Sequence, residues 1–146
     1  MKELKFTQID ECGKARCGII ETAHGNIETP VFMPVGTVGS VKAIFPTSLK
    51  KLKVQIILGN TYHLMLRPGE KLISKIGGLQ KFMSWNAPIL TDSGGFQIWS
   101  LSKIREIDKD GVTFKSHIDG KKYRLTPKKS INIQRMLNSN ITMALD

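Results

Sequence analysis

The residues best suited to chemistry form one string, Asp92-Ser93-Gly94-Gly95-Phe96-Gln97, inside PILTDSGGFQIWSL at 88–101. Asp92 brings a carboxylate that can carry a proton or accept N–H donors. Gly94 and Gly95 remove two side chains, so backbone N–H groups can approach an acceptor on a ligand. Phe96 offers a face for a flat ring, and Gln97 a donor and an acceptor for its edge. A second carboxylate, Asp146, and an amide, Asn60, occupy comparable positions elsewhere, each just after an apolar run.

Those apolar runs are the elements that must position the string. Val54–Leu58 (VQIIL), Ala87–Leu90 (APIL) and Ile141–Leu145 (ITMAL) are short and continuously apolar, the pattern of strands buried on both faces. Helical stretches separate them: a short helix capped by Thr47 and running through Leu52, then Glu70–Ile76 closed by Gly77, Leu79–Trp85, and Pro127 to about Asn138 capped by Thr126. Alternation of this kind predicts an α/β protein with a parallel sheet. Asn60, Asp92 and Asp146 then fall at strand C-termini, where loops of such sheets converge on one mouth. Asp92 and Asp146 are expected to face one pocket, where a carboxylate suits adjacent N–H groups such as those on guanine's edge.

Two β-rich segments flank this alternation. Residues 15–35 read as a hairpin about Ala23-His24-Gly25-Asn26, forming an antiparallel lid or plug, and 111–126 read as another with Asp119-Gly120 as a two-residue turn. His63 and His117 are read as structural hydrogen-bonding groups in preference to ligands or acid/base groups, and Met33, Met65, Met83, Met136 and Met143 as core filling. GTVGSVK at 36–42 lacks the spacing of a nucleotide P-loop.

The 146 residues are 40% hydrophobic, enough for one domain with a real core. No apolar run spans a membrane and the N-terminus lacks the apolar segment of a signal peptide, so a cytoplasmic protein is expected. Cys12 and Cys17 are too few for a disulfide framework or a zinc knuckle and read as reduced thiols. A net charge of +10 favours a polyanionic partner, with local clusters at Lys50, Lys51 and Lys53 and at Lys121, Lys122, Arg124, Lys128 and Lys129. Because 17 of the 22 basic residues are lysine, a general lysine bias would produce the same excess.

Four segments together resemble the bacterial tRNA-guanine transglycosylase (queuine tRNA-ribosyltransferase) family over essentially the whole chain. They are TPVFMPVGTVGSVKA at 29–43, ILGNTYHLMLRPG at 57–69, LTDSGGFQIWSL at 90–101 and FKSHIDGKKYRLTP at 114–127, in the family's order. The resemblance implies the N-terminal part of a (β/α)8 TIM barrel, with an antiparallel cap at about 1–35 and the first β/α units at about 36–146. It implies exchange of guanine at the wobble position of certain tRNAs for a 7-deazaguanine, preQ1 or queuine, on the way to queuosine. Asp92 becomes the general acid/base and base contact; Ser93, Gly94, Gly95, Phe96 and Gln97 line the pocket; Asp146 reads the guanine edge, and Asn60 supports the pocket. A homodimer and a zinc subdomain belong to the full-length family, with no metal ligands in this chain.

Retention at the sugar carbon calls for two displacements, a carboxylate nucleophile and a second group that moves the proton. A complete barrel needs roughly 250 residues. The chain is therefore expected to be an N-terminal fragment, lacking the nucleophile and inactive alone. Lys128 and Lys129, where the family usually has acids, and Asn140, where it commonly has aspartate, depart from the pattern. The alternative function is a non-catalytic basic module that binds RNA through its lysine clusters.

Overall fold

The computed structural model describes residues 4–102 and 105–145. An antiparallel sheet comes first, β1 (Lys5–Cys12), β2 (Ala15–Thr22) and β3 (Gly25–Thr29), in the order β1-β2-β3. The β2–β3 turn falls on Ala23 and His24, as the sequence predicts, since Thr22 pairs with Gly25. β1 was not anticipated, because every residue in it is exposed and no apolar periodicity marks it.

Next comes a parallel sheet of β4 (Val35–Gly36), β5 (Ile57–Gly59), β6 (Ile89–Thr91) and β10 (Ile141–Thr142), side by side in chain order. Between them run α1 (Pro46–Lys51), α2 (Thr61–Leu66), α3 (Glu70–Lys75), α4 (Leu79–Phe82), α5 (Gly95–Leu101) and α6 (Pro127–Met136). The third sheet, β7 (Arg105–Asp108), β8 (Gly111–Lys115) and β9 (Lys122–Leu125), is antiparallel and stands between α5 and α6. An α/β arrangement with consecutive parallel strands is thus present.

The strands are shorter and shifted relative to the apolar runs, for identifiable reasons. Ladder pairing joins Ile57 to Ile89 and Gly59 to Thr91, so β5 starts three residues after Val54. Gln55 instead turns its side chain to accept from the Glu28 N–H at 2.7 Å. Pro88 has no N–H for a ladder, so β6 begins at Ile89. β10 ends at Thr142 because the Gln134 amide takes the place of a strand neighbour, accepting from Met143 N at 2.9 Å and donating to Met143 O at 2.8 Å.

Other boundaries also move. Phe45, not Thr47, is the N-cap of α1, because Pro46 with its fixed φ fits the first helical position. α4 stops at Phe82 and α6 at Met136, where Asn138 takes a left-handed φ of 61°. The Thr126 cap holds, its hydroxyl accepting from Lys129 N at 3.1 Å. Lys115 pairs with Lys122, so β8 and β9 are joined by the six residues 116–121 and not by a two-residue turn. Ser116 stabilises that loop, its N–H donating to Lys121 O at 2.9 Å and its hydroxyl accepting from Ile118 N at 3.1 Å.

The core gathers Tyr62, Leu64, Ile73, Leu79, Trp85, Ile89, Phe114, Leu125 and Ile133, each essentially inaccessible, between the parallel sheet, the helices and β8–β9. Met65 and Met83 belong to it, while Met143 is 46% exposed and fills no core.

Candidate active site

β6 delivers Asp92 one residue beyond its end, and the ladder continues there, with Asp92 N donating to Gly59 O at 3.2 Å. The neighbouring strand β5 runs directly into Asn60 and α2. Asp92 bridges the two strand ends: its Oδ2 accepts from Asn60 Nδ2 at 2.6 Å and its Oδ1 from Thr61 N at 2.8 Å. Thr61 Oγ1 donates back to Asp92 O at 2.6 Å. Asn60 makes no side-chain cap of its own helix, so Asp92 supplies that function from the next strand, a carboxylate at a helix start where the backbone dipoles favour it. Asn60 and Thr61 are buried while Asp92 is half-buried, leaving part of the carboxylate open. Its two contacts use two of roughly four lone-pair sites, so a ligand can still be accepted.

Ser93, Gly94 and Gly95 follow as a tight turn into α5. Gly94 has a left-handed φ of 86°, which glycine adopts without strain, while a Cβ there would make only ordinary contacts, 3.4 Å from Tyr62 N and 3.6 Å from Leu125. Ser130 on α6 donates to Ser93 O at 2.7 Å, and Gln134, one helical turn on, joins Thr91 Oγ1 at 2.9 Å and Ser130 Oγ at 3.1 Å. This buried chain of side chains fixes the end of β6 to α6.

Phe96 and Gln97 part company. Phe96 is 69% exposed and, with Gly95, Trp99, Arg105 and Leu145, lines an open cleft of about 530 Å³. Gln97 is not among the residues lining it, and its Oε1 is buried without a partner among the described residues. Asp92, Ser93 and Gly94 also stand outside that cleft's lining. Asp146 lies outside the described residues, although Leu145, which precedes it, is on the cleft wall. Asn60 and Asp92 are therefore brought together in one cluster, with Gly95 and Phe96 on an adjoining surface.

Thr61, Ser130 and Gln134 were not foreseen. A polar pair at the spacing of Ser130 and Gln134 on the inward face of α6 was the available signal; α2 gave none, being too short for a period to show. His63 stands beside the site, next to His117 and Tyr62, whose hydroxyl meets His117 Nδ1 at 2.8 Å. Burial pushes the His63 imidazole below its usual value, His117 pushes it further, and the Asp92 carboxylate pulls it back up.

Among the described residues, no group of three or more His, Cys, Asp or Glu is assembled to hold a metal. Cys12 is opposite Ala15 and Cys17 opposite Asp10 on paired strands, and both thiols are free. No helix among the described residues is long and apolar enough to cross a membrane.

The family model of queuine tRNA-ribosyltransferase matches residues 10–146. This chain belongs to that family. A queuine tRNA-ribosyltransferase from Rickettsia bellii is 59% identical over the whole chain, which covers 41% of that relative. Similarly named proteins from Solidesulfovibrio magneticus and Caldanaerobacter subterraneus subsp. tengcongensis are 61% and 60% identical, over 92% and 100% of this chain and 36% and 40% of their own lengths. The chain thus spans about two fifths of the length of the curated family members it matches.

Proposed function

We propose that this chain carries the base-handling part of a tRNA-guanine transglycosylase, which replaces guanine at the wobble position of tRNA with a 7-deazaguanine such as preQ1. The observation that carries this reading is the Asp92 corner. A carboxylate is held by Asn60 and Thr61 at the C-terminal end of a parallel sheet, and the chain runs on from it through Gly94 and Gly95 to Phe96, which is exposed. The four consecutive parallel strands support a partial (β/α)8 barrel, in which loops at that end face the substrate.

In this reading Asp92 gives a proton to the departing guanine and recovers one from the incoming base. Its donors Asn60 and Thr61 hold the side chain in place between the two events. The Gly94-Gly95 backbone comes close to the ring, Phe96 stacks on it, and Asp146 accepts from its N–H edge. Two displacements at the anomeric carbon keep the stereochemistry and need a nucleophilic carboxylate as well. In this reading that group, the zinc subdomain and the homodimer contacts belong to the part of the full-length family members that this chain does not span.

Calorimetric titration of guanine and preQ1 into the chain tests the corner. Binding should weaken about tenfold or more in Asp92→Ala, the loss of a charge-assisted pair of hydrogen bonds. Retained tRNA binding with no free-base binding by the unmutated chain would favour the basic-module reading instead.

A further inference from the structure

The outer face of the β7-β8-β9 sheet keeps cations where folding alone disfavours them. Lys115 on β8 and Lys122 on β9 are directly opposite in an antiparallel pair, so their side chains leave the same face roughly 5 Å apart at Cβ, and like charges so placed repel. Lys128 and Lys129 stand in the first turn of α6, which has no acidic residue and where the helix dipole opposes positive charge. Lys129 is held against the sheet edge, its Nζ donating to Arg124 O at 2.8 Å.

The acids of this face are largely spoken for. Asp108 takes Arg124 at 2.8 Å and Asp119 takes Lys121 at 3.5 Å, while Glu106 faces Thr113 across the β7–β8 ladder. Among the described residues, Lys115, Lys122, Lys128 and Lys129 have no ion-pair partner. All four are exposed. The opposite, buried face of the sheet is the one tied to the site: Leu125 lies near Gly94, and the β8–β9 loop meets α2 through His117 and Tyr62.

We infer that this face, with the adjoining first turn of α6, is a docking surface for the phosphodiester backbone of the RNA, with Lys115, Lys122, Lys128 and Lys129 neutralising phosphates. A polyanion relieves the Lys115–Lys122 repulsion and the unfavourable dipole interaction at once, which an isolated carboxylate could not do for all four. This surface rests on the tRNA reading above.

The test is the salt dependence of tRNA binding by the chain, followed by fluorescence anisotropy. Replacing Lys115, Lys122, Lys128 and Lys129 with Gln should make the log–log slope shallower by about 3 and weaken binding at ~0.1 M salt by at least about tenfold. Replacing Lys50, Lys51 and Lys53 with Gln is the control for bulk charge and should leave most of the slope in place. Equal losses in the two variants, or no change in the first while its circular dichroism is unaltered, would overturn the assignment. So would tighter binding of phosphatidylserine vesicles than of tRNA through the same four lysines. Titrating guanine into the fourfold variant separates this surface from the base corner: free-base binding should persist, and its absence already in the unmutated chain would count against the corner alone.

Discussion

Asn60 Nδ2 lies 2.6 Å from Asp92 Oδ2 and joins the C-terminal ends of two adjacent parallel strands. The pair is as much structural as chemical, since Asp92 also receives the first N–H of α2. A carboxylate held this way is aimed before any ligand arrives, which limits the reorganisation that proton transfer would otherwise need.

Removing the amide should therefore loosen the corner. Asn60→Ala deletes a hydrogen bond to a charged group, worth about 1.5–3 kcal/mol, and urea denaturation should register a loss in that range. Guanine binding should weaken in parallel. An unchanged urea midpoint would show that Asp92 does not depend on Asn60 for its place.

The buried Gln134 amide is the second support. It is fully inaccessible and serves Thr91, Ser130 and Met143. Gln134→Leu leaves the Thr91 hydroxyl and the Met143 backbone without those partners, at about 1–3 kcal/mol for each unsatisfied group. A total fall of about 2–4 kcal/mol in unfolding free energy is expected, together with faster amide exchange at Met143. A variant as stable as the parent would show that water replaces the amide without loss.

Stability should fall on acidification in two separate windows. His63 is held below its usual 6.5, so the unfolded chain binds its proton first, and stability declines as pH drops through 6.5 toward the lower folded value. His63→Gln should flatten that limb. Asp108 is held at about 2 from a usual 3.8, chiefly by its hydrogen bond to Arg124, so its contribution is present above 3.8 and disappears as pH falls toward 2. Asp108→Asn should shrink this second limb while sparing the first, the remainder belonging to Asp119, which its hydrogen bond with Ser116 also holds below the usual carboxylate value. Urea midpoints measured across pH 2–8 distinguish the two, and a single limb unaffected by either substitution would contradict both assignments.

Much of this arrangement can be traced to particular residues in the sequence. VQIIL and APIL mark neighbouring strands of the parallel sheet, and the polar residues after them, Asn60 and Asp92, do meet. Thr126 and Pro127 announce α6 because a cap and a first-turn proline act locally. Less visible were features decided by distant partners. β1 is held only by pairing with β2, α2 is a single short turn capped from another strand, and β10 is cut short by a side chain nine residues before Met143 in the chain. Gln97 shows the same limit: neighbours in sequence share a loop, but one step along a helix turns Phe96 to the cleft and leaves Gln97 off it.

The central claim is that Asp92 moves the proton in base exchange. It is tested most directly in a chimera in which this chain replaces the matching segment of the Rickettsia bellii relative. Incorporation of radiolabelled guanine into tRNA is measured with Asp92 intact and with Asp92→Asn, which keeps the side chain's shape and removes its ability to carry a proton. Loss of a positioned acid/base should lower the exchange rate by about 10²–10⁴-fold with tRNA binding retained. Exchange by Asp92→Asn within a few-fold of the unsubstituted chimera would contradict the account.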